Sequence, residues 1–335
     1  MPTAFLNGVL LQIALVSIVK IRMASLPLVS IIIPCYNGER FVAEAIESAL
    51  AQTYPHKEVI VIDDGSTDNS LDVIKSFGDK IRWETGPNRG GCAARNRGIE
   101  LARGELIQFL DADDILHPQK LERQVTFMLE GCYDWTICWG GVIPPDDPCA
   151  PVYCRPYNGE DPLVFNLLGG LQTSASLHRR ENLVKIGGFD VTLRCSQERD
   201  LHIRLSMLGL RMGQIRERLF TVVRRPGSVS SDSVRVFRGH YDLGFKYWQM
   251  LKEKGLATEP RLRALAAFVT RAGRMLARNG NLKESWRFFD LATRIHKSGG
   301  VDLVYGKQAH IVASLLGAHT AEWVLGTLRR LQIIR

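Results

Sequence analysis

The sequence predicts an α/β protein built on a mostly parallel β-sheet and followed by a helical C-terminal region. Three observations support this fold class. From Val29 onward, short β-branched runs alternate with stretches that repeat apolar residues at helical spacing, as in parallel strands joined by crossover helices. Several of these runs end in polar clusters. Beyond about residue 234 the strand pattern stops and amphipathic helices remain.

The first half of the predicted sheet has four strands in order along the chain. The strands are the apolar runs 29–33, 58–62, 81–84 and 106–110. The intervening helices are predicted at 41–50, from about residue 69, up to residue 103, and after His117-Pro118, since proline suits a first helical turn. Because ligands bind outside the carboxyl ends of parallel strands, the polar clusters after three of these strands should converge on one site.

The alternation is weaker past Gly131. Further strands are expected at 134–140, 170–177 and 219–223, and a helix at 197–208. The segment 143–162 is rich in proline and aspartate and is expected to be a functional lid or a disordered loop. Two amphipathic stretches, 262–276 and 282–292, predict a helical hairpin.

We expect three parts of the chain: an N-terminal extension over 1–26, an α/β domain over 27–230 and a basic helical region over 231–335. The extension contains an apolar run, 5–19, which is shorter than the roughly 20 residues of a spanning helix. No basic residue precedes the run, unlike in a secretory signal. The extension is therefore expected to be flexible or untranslated, with a membrane anchor as the alternative.

Charge and cysteine content limit the class of protein. The formal net charge is 43 − 35 = +8, but residues 1–210 carry 20 basic and 26 acidic side chains, and residues 211–335 carry 23 and 9. A basic excess confined to one end argues against a nucleic-acid partner and fits an anionic membrane surface or packing on the rest of the chain. Seven cysteines without a CxxC pair predict reduced thiols, hence a cytoplasmic protein. If the basic end contacts anionic lipid, the protein is peripheral on the inner face of the membrane.

Acidic residues stand at two of the strand ends. Asp111-Ala112-Asp113 follows an apolar strand, and its carboxylate oxygens suit Mg²⁺ or Mn²⁺. The alternative is that these carboxylates only solvate a loop and cap the next helix. Gly90-Gly91 precede a helix that carries Arg95; this arginine is expected either to bind phosphate or to hold the acidic strand ends.

Five motifs stand in order along the chain: VSIIIPCYNGE (29–39), VIDDGSTD (61–68), NRGGCAARNRG (88–98), FLDADD (109–114) and QERDLHIRL (197–205). Together they resemble a family 2 glycosyltransferase of the GT-A fold, the nucleotide-diphospho-sugar transferase fold, over roughly 27–225. The resemblance implies a divalent cation and inverting transfer of a hexose from a nucleotide-sugar donor, UDP-linked, to a hydroxyl of a saccharide, glycolipid or protein. Cell-surface polysaccharide or glycolipid synthesis is the implied setting.

The resemblance also implies roles for individual residues. Asp113 would be the direct metal ligand, with Asp111 toward the ribose and the metal-bound waters. Asp64 would accept a hydrogen bond from the base, Asp63 would support it, and Tyr36 would give the base an aromatic face. The other donor-site residues expected by resemblance are Pro34, Asn37, Glu39, Gly90, Arg95 and Ala112.

The acceptor hydroxyl needs a carboxylate that takes its proton. By resemblance Glu198 occupies the position of this base, but Gln197 replaces the acid often found before it, so Asp200 stays a second candidate. An ordinary pairing of these acids with nearby arginines is the structural alternative.

A nucleotidyl transferase would need a glycine-rich phosphate loop after the first strand, and PCYNGER is not one. The remaining rival function is a non-catalytic scaffold that binds an anionic surface.

Overall fold

The structure is a computed structural model that describes residues 26–143, 155–223, 233–305, 313, 317–318 and 320–326. The N-terminal apolar run and most of the proline-rich segment therefore lie outside the described residues. The strands are β1 (Val29–Cys35), β2 (Lys57–Asp63), β3 (Arg82–Thr85), β4 (Leu106–Phe109), β5 (Asp114–Leu116), β6 (Trp135–Ile143), β7 (Ser176–Arg179) and β8 (Met212–Val223). The α-helices are α1 (Val42–Leu50), α2 (Ser70–Ser76), α3 (Gly91–Leu101), α4 (Lys120–Glu130), α5 (Pro162–Leu168), α6 (Arg180–Lys185), α7 (Gln197–Ser206), α8 (Ser233–Glu253), α9 (Glu259–Arg278), α10 (Leu282–Ile295) and α11 (Val301–Val304).

The eight strands form one mixed sheet in the order β3-β2-β1-β4-β7-β6-β8-β5. The strands β3, β2, β1 and β4 run parallel. The strand β7 is antiparallel to both β4 and β6, whereas β6 and β8 are parallel. The predicted α/β class, with a parallel half and a mixed extension, is confirmed.

Helices cover both faces of the sheet, which explains the continuous apolar runs of the central strands. In β1, Ile31 and Ile33 belong to the core beneath α1, and Ile32 belongs to the core on the opposite face. The helix α3 packs closely on that second face. A Cβ atom on Gly98 would lie 2.2 Å from Cγ2 of Ile32, so only glycine permits this approach.

One expectation for the mixed half was wrong in detail, and one strand was not predicted. The predicted strand 170–177 is extended only from Ser176, and Thr173–Ala175 forms a 3₁₀ turn. In this turn the carbonyl of Ser174 accepts a hydrogen bond from the side chain of Gln108 at 3.1 Å and not from a neighbouring strand. The short strand β5 was not predicted, because it pairs only with β8, more than a hundred residues away in the chain.

The predicted helical hairpin is present as α9 and α10. Together with α8 it encloses an apolar core that includes the completely buried Tyr247 and Phe288. None of the described helices combines the length and the apolar character that crossing a bilayer requires. The five cysteines within the described residues are free thiols.

Candidate active site

The loops that follow β1 and β2 are joined by hydrogen bonds. Asn37 lies in the left-handed region with φ +49°, and its side-chain oxygen accepts the backbone N–H of Thr67 at 2.8 Å. The backbone N–H of Asn37 donates to the hydroxyl of Ser66 at 3.0 Å. One carboxylate oxygen of Glu39 accepts the backbone N–H of Asn69 at 3.0 Å. These contacts hold the predicted donor-site residues of the two loops in one arrangement, next to the half-exposed Tyr36.

Asp63 and Asp64 connect the end of β2 to the loop after β3. The hydroxyl of Thr85 donates to Asp63 at 2.6 Å. The two carboxylate oxygens of Asp64 accept the backbone N–H groups of Arg89 and Gly90, each at 2.8 Å. The backbone of Gly90 has φ +92°, a conformation that favours glycine. This loop-fixing role of Asp64 was missed by the sequence analysis, because the motif alone does not show which backbone groups face the carboxylate.

A cavity of about 310 Å³ lies between these two loops. Its lining includes Asp63, Asp64, residues of the segment 85–89 and residues of α3 from Ala93 to Glu100. The other residues predicted for the donor pocket, among them Pro34, Tyr36 and Asn37, are not lining residues of this cavity. Neither are Asp111, Asp113 and Glu198.

The acidic edge, which we define as Asp111, Asp113 and Asp114, follows β4. Asp114 is buried and accepts a hydrogen bond from the hydroxyl of Ser174 at 2.7 Å. Burial, reinforced by the charges of Asp111 and Asp113, raises the pKa of Asp114 to about 8. A Cβ atom on Gly38 would lie 3.8 Å from Cβ of Ala112, so the loop after β1 lies directly against this edge.

The acidic edge fits a cation that has further ligands from outside the protein. Among the residues that the structure describes, no group of three His, Cys, Asp or Glu side chains gathers as a metal site. However, the negative charges of Asp111 and Asp113 raise the pKa of their neighbour, which is the electrostatic situation that a bound cation relieves. Hard carboxylate oxygens are suitable ligands for Mg²⁺ or Mn²⁺, and the oxygens of an anionic ligand would complete the shell.

Arg95 connects the acidic edge to the start of α7. One guanidinium nitrogen donates to Asp111 at 2.5 Å, and another donates to the side-chain oxygen of Gln197 at 3.0 Å. Burial lowers the pKa of Arg95, but the attraction of Asp111 outweighs this effect and raises it. Of the two roles left open by the sequence, the structure shows the contact with an acidic strand end. Arg95 therefore brings two motifs together that are about a hundred residues apart in the chain.

The two candidate bases differ in their surroundings. Glu198 follows Gln197 and is only partly buried. This burial raises the pKa of its carboxyl group, and the negative charge of Asp111 adds to the increase. Asp200 is completely buried, and its carboxylate binds Arg204 and Lys246, each at 2.7 Å. A carboxylate enclosed by two cations has no free surface for an acceptor hydroxyl, so the pairing alternative describes Asp200 but not Glu198.

Comparison with known proteins finds a family match in the first half of the chain. Residues 30–149 match the model of glycosyl transferase family 2. This part of the chain is a family 2 glycosyltransferase domain.

An uncharacterised glycosyltransferase of Rickettsia felis is 39% identical over 188 residues, which are 53% of this chain and 31% of the relative. Bacillus subtilis TuaG, provisionally named a teichuronic acid biosynthesis glycosyltransferase, is 39% identical over 109 residues, or 31% of this chain and 43% of the relative. The chain thus spans less than half the length of either relative.

Two solved structures share the fold of the family 2 domain and much of the helical region. The S. aureus TarS fragment 1–349 with UDP-GlcNAc aligns with a TM-score of 0.67 over 90% of this chain and 92% of that one, at 18% identity. The mannosyltransferase PcManGT from Pyrobaculum calidifontis, with GDP-Man and Mn²⁺, aligns with a TM-score of 0.53 over 90% and 87%, also at 18% identity. The expected GT-A fold is thereby confirmed.

Proposed function

We propose that the chain is an inverting glycosyltransferase that moves a hexose from a UDP-linked donor to an acceptor hydroxyl in one displacement. The observation that carries this proposal is the contact of Arg95 with both Asp111 and Gln197. It places the start of α7, with Glu198, beside the acidic edge in a family 2 domain. A direct displacement needs a leaving-group site and a base on one reaction centre, and this contact supports both being there.

The donor nucleotide is assigned to the loops after β1, β2 and β3. The cavity beside Asp63 and Asp64 has the volume for a base, and the half-exposed Tyr36 stands outside this cavity on the loop after β1. Each oxygen of Asp64 that accepts one backbone N–H keeps a second lone pair, so it can also accept from the base. The UDP-GlcNAc in TarS supports a uridine donor, whereas the GDP-Man in PcManGT makes guanosine the alternative to test.

The acidic edge is assigned to a divalent cation, with Asp113 as direct ligand and Asp111 supporting it. When bound, the cation supplies positive charge where the departing diphosphate becomes more negative. Arg95, which stays charged, neutralises Asp111 and keeps it oriented.

Glu198 is assigned as the general base. As the acceptor oxygen attacks the sugar carbon, its proton moves to the carboxylate of Glu198 and the bond to the diphosphate breaks. Attack from the side opposite the leaving group inverts the configuration. The raised pKa of Glu198 makes the carboxylate a stronger base once it is ionised. Asp200 is not assigned this role, because its carboxylate is buried between two cations.

The acceptor is proposed to be a hydroxyl of a cell-surface polysaccharide or of its lipid-linked precursor, with the name of TuaG as support.

A screen of UDP- and GDP-sugars with Mn²⁺ or Mg²⁺ tests the donor. Release of the nucleoside diphosphate and a mass increase of the acceptor by one hexose are expected with one donor. A folded protein that releases no diphosphate from any donor would favour the scaffold function.

Glu198→Gln tests the base assignment. The amide cannot take a proton, so transfer should stop while donor binding, measured by calorimetry, stays at the level of the unchanged protein. The matched control is Glu181→Gln, because Glu181 is an exposed glutamate in the first turn of α6. Transfer by the Glu198→Gln variant at nearly the original rate would remove the assignment.

We also propose that the basic helical region contacts anionic lipid, where lipid-linked acceptors reside. The rings of Phe245 and Trp286 are 42% and 57% exposed, and the exposed Arg294 lies on α10 as well. Exposed aromatic rings and exposed cations on the surface of one helical region favour an anionic interface. Sedimentation with phosphatidylglycerol vesicles at low salt should carry the protein down, and high salt or phosphatidylcholine vesicles should not. Absence of binding at low salt would exclude the lipid contact.

A further inference from the structure

Helix α8 contacts the part of α7 that carries Glu198. Lys246 on α8 forms ion pairs with Asp200 at 2.7 Å and with Asp190 at 2.9 Å. The hydroxyl of Tyr247, also on α8, donates to Asp200 at 3.3 Å. Asp200 is two residues beyond Glu198, so a cation from the helical region is fixed to the same helical turn as the candidate base.

A second contact lies at the first residue of this turn. Ser196 precedes α7 in the left-handed conformation, φ +58°, and its hydroxyl does not cap the helix. The hydroxyl instead hydrogen-bonds Nε2 of His240 on α8 at 2.9 Å. A serine in this position normally satisfies an N–H group of its own helix. Here it connects the helix start to α8, and burial, helped by Arg199, lowers the pKa of His240 to about 3, which keeps the imidazole neutral.

The opposite side of Asp200 is held from within the α/β part. Arg204 binds Asp200 at 2.7 Å and donates to the carbonyls of Ile186 and Gly188 at 2.8 and 2.7 Å. Arg204 is an ordinary i,i+4 partner on the same helix. It can stiffen α7 but cannot set the distance between α7 and the helical region, whereas Lys246 and His240 belong to another helix and can.

We infer that Lys246 and His240 are positioning residues, which hold the first turn of α7 so that the carboxylate of Glu198 stays in reach of the acceptor hydroxyl. This inference rests on the proposed function. It gives the helical region a task in catalysis, because these two residues act on the helix that carries the proposed base. A small displacement of a base weakens proton transfer strongly, whereas the donor loops after β1, β2 and β3 do not depend on these contacts.

The test compares Lys246→Met with Arg238→Met. Arg238 also lies on α8 and pairs with Glu284 of α10, so the control removes an ion pair inside the helical region. We expect Lys246→Met to lower kcat by about tenfold to a hundredfold and to leave the donor KM nearly unchanged. Lys246→Arg should restore most of kcat, and Arg238→Met should keep it.

Hydrogen exchange of the amides of α7 provides a readout that does not need activity. Exchange at 197–201 should become faster in Lys246→Met and should not change in Arg238→Met. His240→Phe, which removes the bond to Ser196 without leaving a buried charge unpaired, should give the same local change. This variant decides the matter if Lys246→Met does not fold.

The outcomes separate this inference from the proposed function. Unchanged kcat and unchanged exchange in folded Lys246 and His240 variants would overturn the positioning role. A fall in kcat that follows only a lower melting temperature, with normal exchange at the assay temperature, would overturn it as well. If the unchanged protein transfers no sugar from any donor, but exchange of α7 is faster in the Lys246→Met variant, the contact is supported and the proposed function is rejected.

Discussion

The donor half of the sheet and the helical region contribute to the candidate site in opposite ways. In residues 29–114 the acidic groups of the site stand at the ends of strands, and the loops are joined mainly by backbone N–H groups bound to side chains. Residues 233–305 contribute no side chain to the acidic edge or the cavity, but supply Lys246 and His240 to α7. The groups assigned to the chemistry therefore lie in the α/β part, whereas the described residues of the helical region contact the helix that carries the proposed base.

Charge follows the same division. The front of the chain is acidic and the end is basic, yet each side of the start of α7 is bound by a cation. Arg95 belongs to α3 of the α/β part, and Lys246 belongs to α8 of the helical region. The first is part of the site, whereas the second acts through Asp200. Variants that separate loss of activity from loss of stability test whether this division is real.

The largest effect is expected from Asp113→Ala. Loss of the proposed direct ligand removes charge stabilisation of the leaving diphosphate and should lower kcat by about a hundredfold to a thousandfold. The melting temperature should hardly change. The measurement is nucleoside diphosphate release with Mn²⁺, with the exposed Asp79 changed to Ala as the control. A variant of Asp113 that keeps normal metal-dependent activity would break the assignment of chemistry to the sheet edge.

Arg95→Met should have the next largest effect. It removes the contact between Asp111 and Gln197 and should lower kcat by about tenfold to a hundredfold through loss of alignment. Arg95→Lys should recover little, because one ammonium group does not reproduce the two separate guanidinium contacts. Steady-state kinetics with the variant Arg103→Met, at an exposed position after α3, serve as comparison. Full activity of Arg95→Met would show that the two motifs act independently.

The pH dependence of kcat/KM should show the raised pKa of Glu198. A base acts only when it is ionised, so the rate should rise with pH and fall by about tenfold for each pH unit below this pKa. Burial places the midpoint above that of an ordinary glutamate. Asp200→Asn, if folded, should keep the midpoint, since Asp200 is not the base. A midpoint at the value of an ordinary solvent-exposed glutamate would contradict the assignment.

The smallest effect concerns stability in acid. His202 is buried, stacks on Trp135 with ring centroids 5.3 Å apart, and burial lowers its pKa to about 3. Below about pH 6.5 the histidine of the unfolded chain takes up a proton, whereas the buried His202 of the folded protein does not. The free energy of unfolding that depends on this histidine is therefore fully present above that pH. It should be lost by about 1.4 kcal/mol for each pH unit on going down toward pH 3.

Thermal unfolding between pH 7.5 and pH 5 measures this loss. His202→Gln should reduce the slope of melting temperature against pH. The variant of the exposed His117 to Gln should leave the slope unchanged. An equal slope in the His202 and His117 variants would show that this histidine does not remain neutral in the folded protein.

Most elements of the parallel half were predictable, because their information is local. A buried strand such as β1 needs apolar residues on both faces, and the alternation with α1 and α3 is visible within about ten residues. The strand β5 and the turn at Thr173–Ala175 were not predictable in this way. Their hydrogen bonds go to β8 and to Gln108, which no local pattern indicates.

The sequence by itself determined the order of strands and helices in the front of the chain, the family of the domain and the acidic residues that stand at its strand ends. Only the tertiary structure decided that Arg95 binds Asp111, that Asp200 is an interior ion-pair partner and Glu198 is not, and that α8 holds the start of α7. The physical reason is that burial and charge pairing depend on groups far apart in the chain. A motif specifies which side chains are present, but packing specifies which of them are neutralised and which remain available.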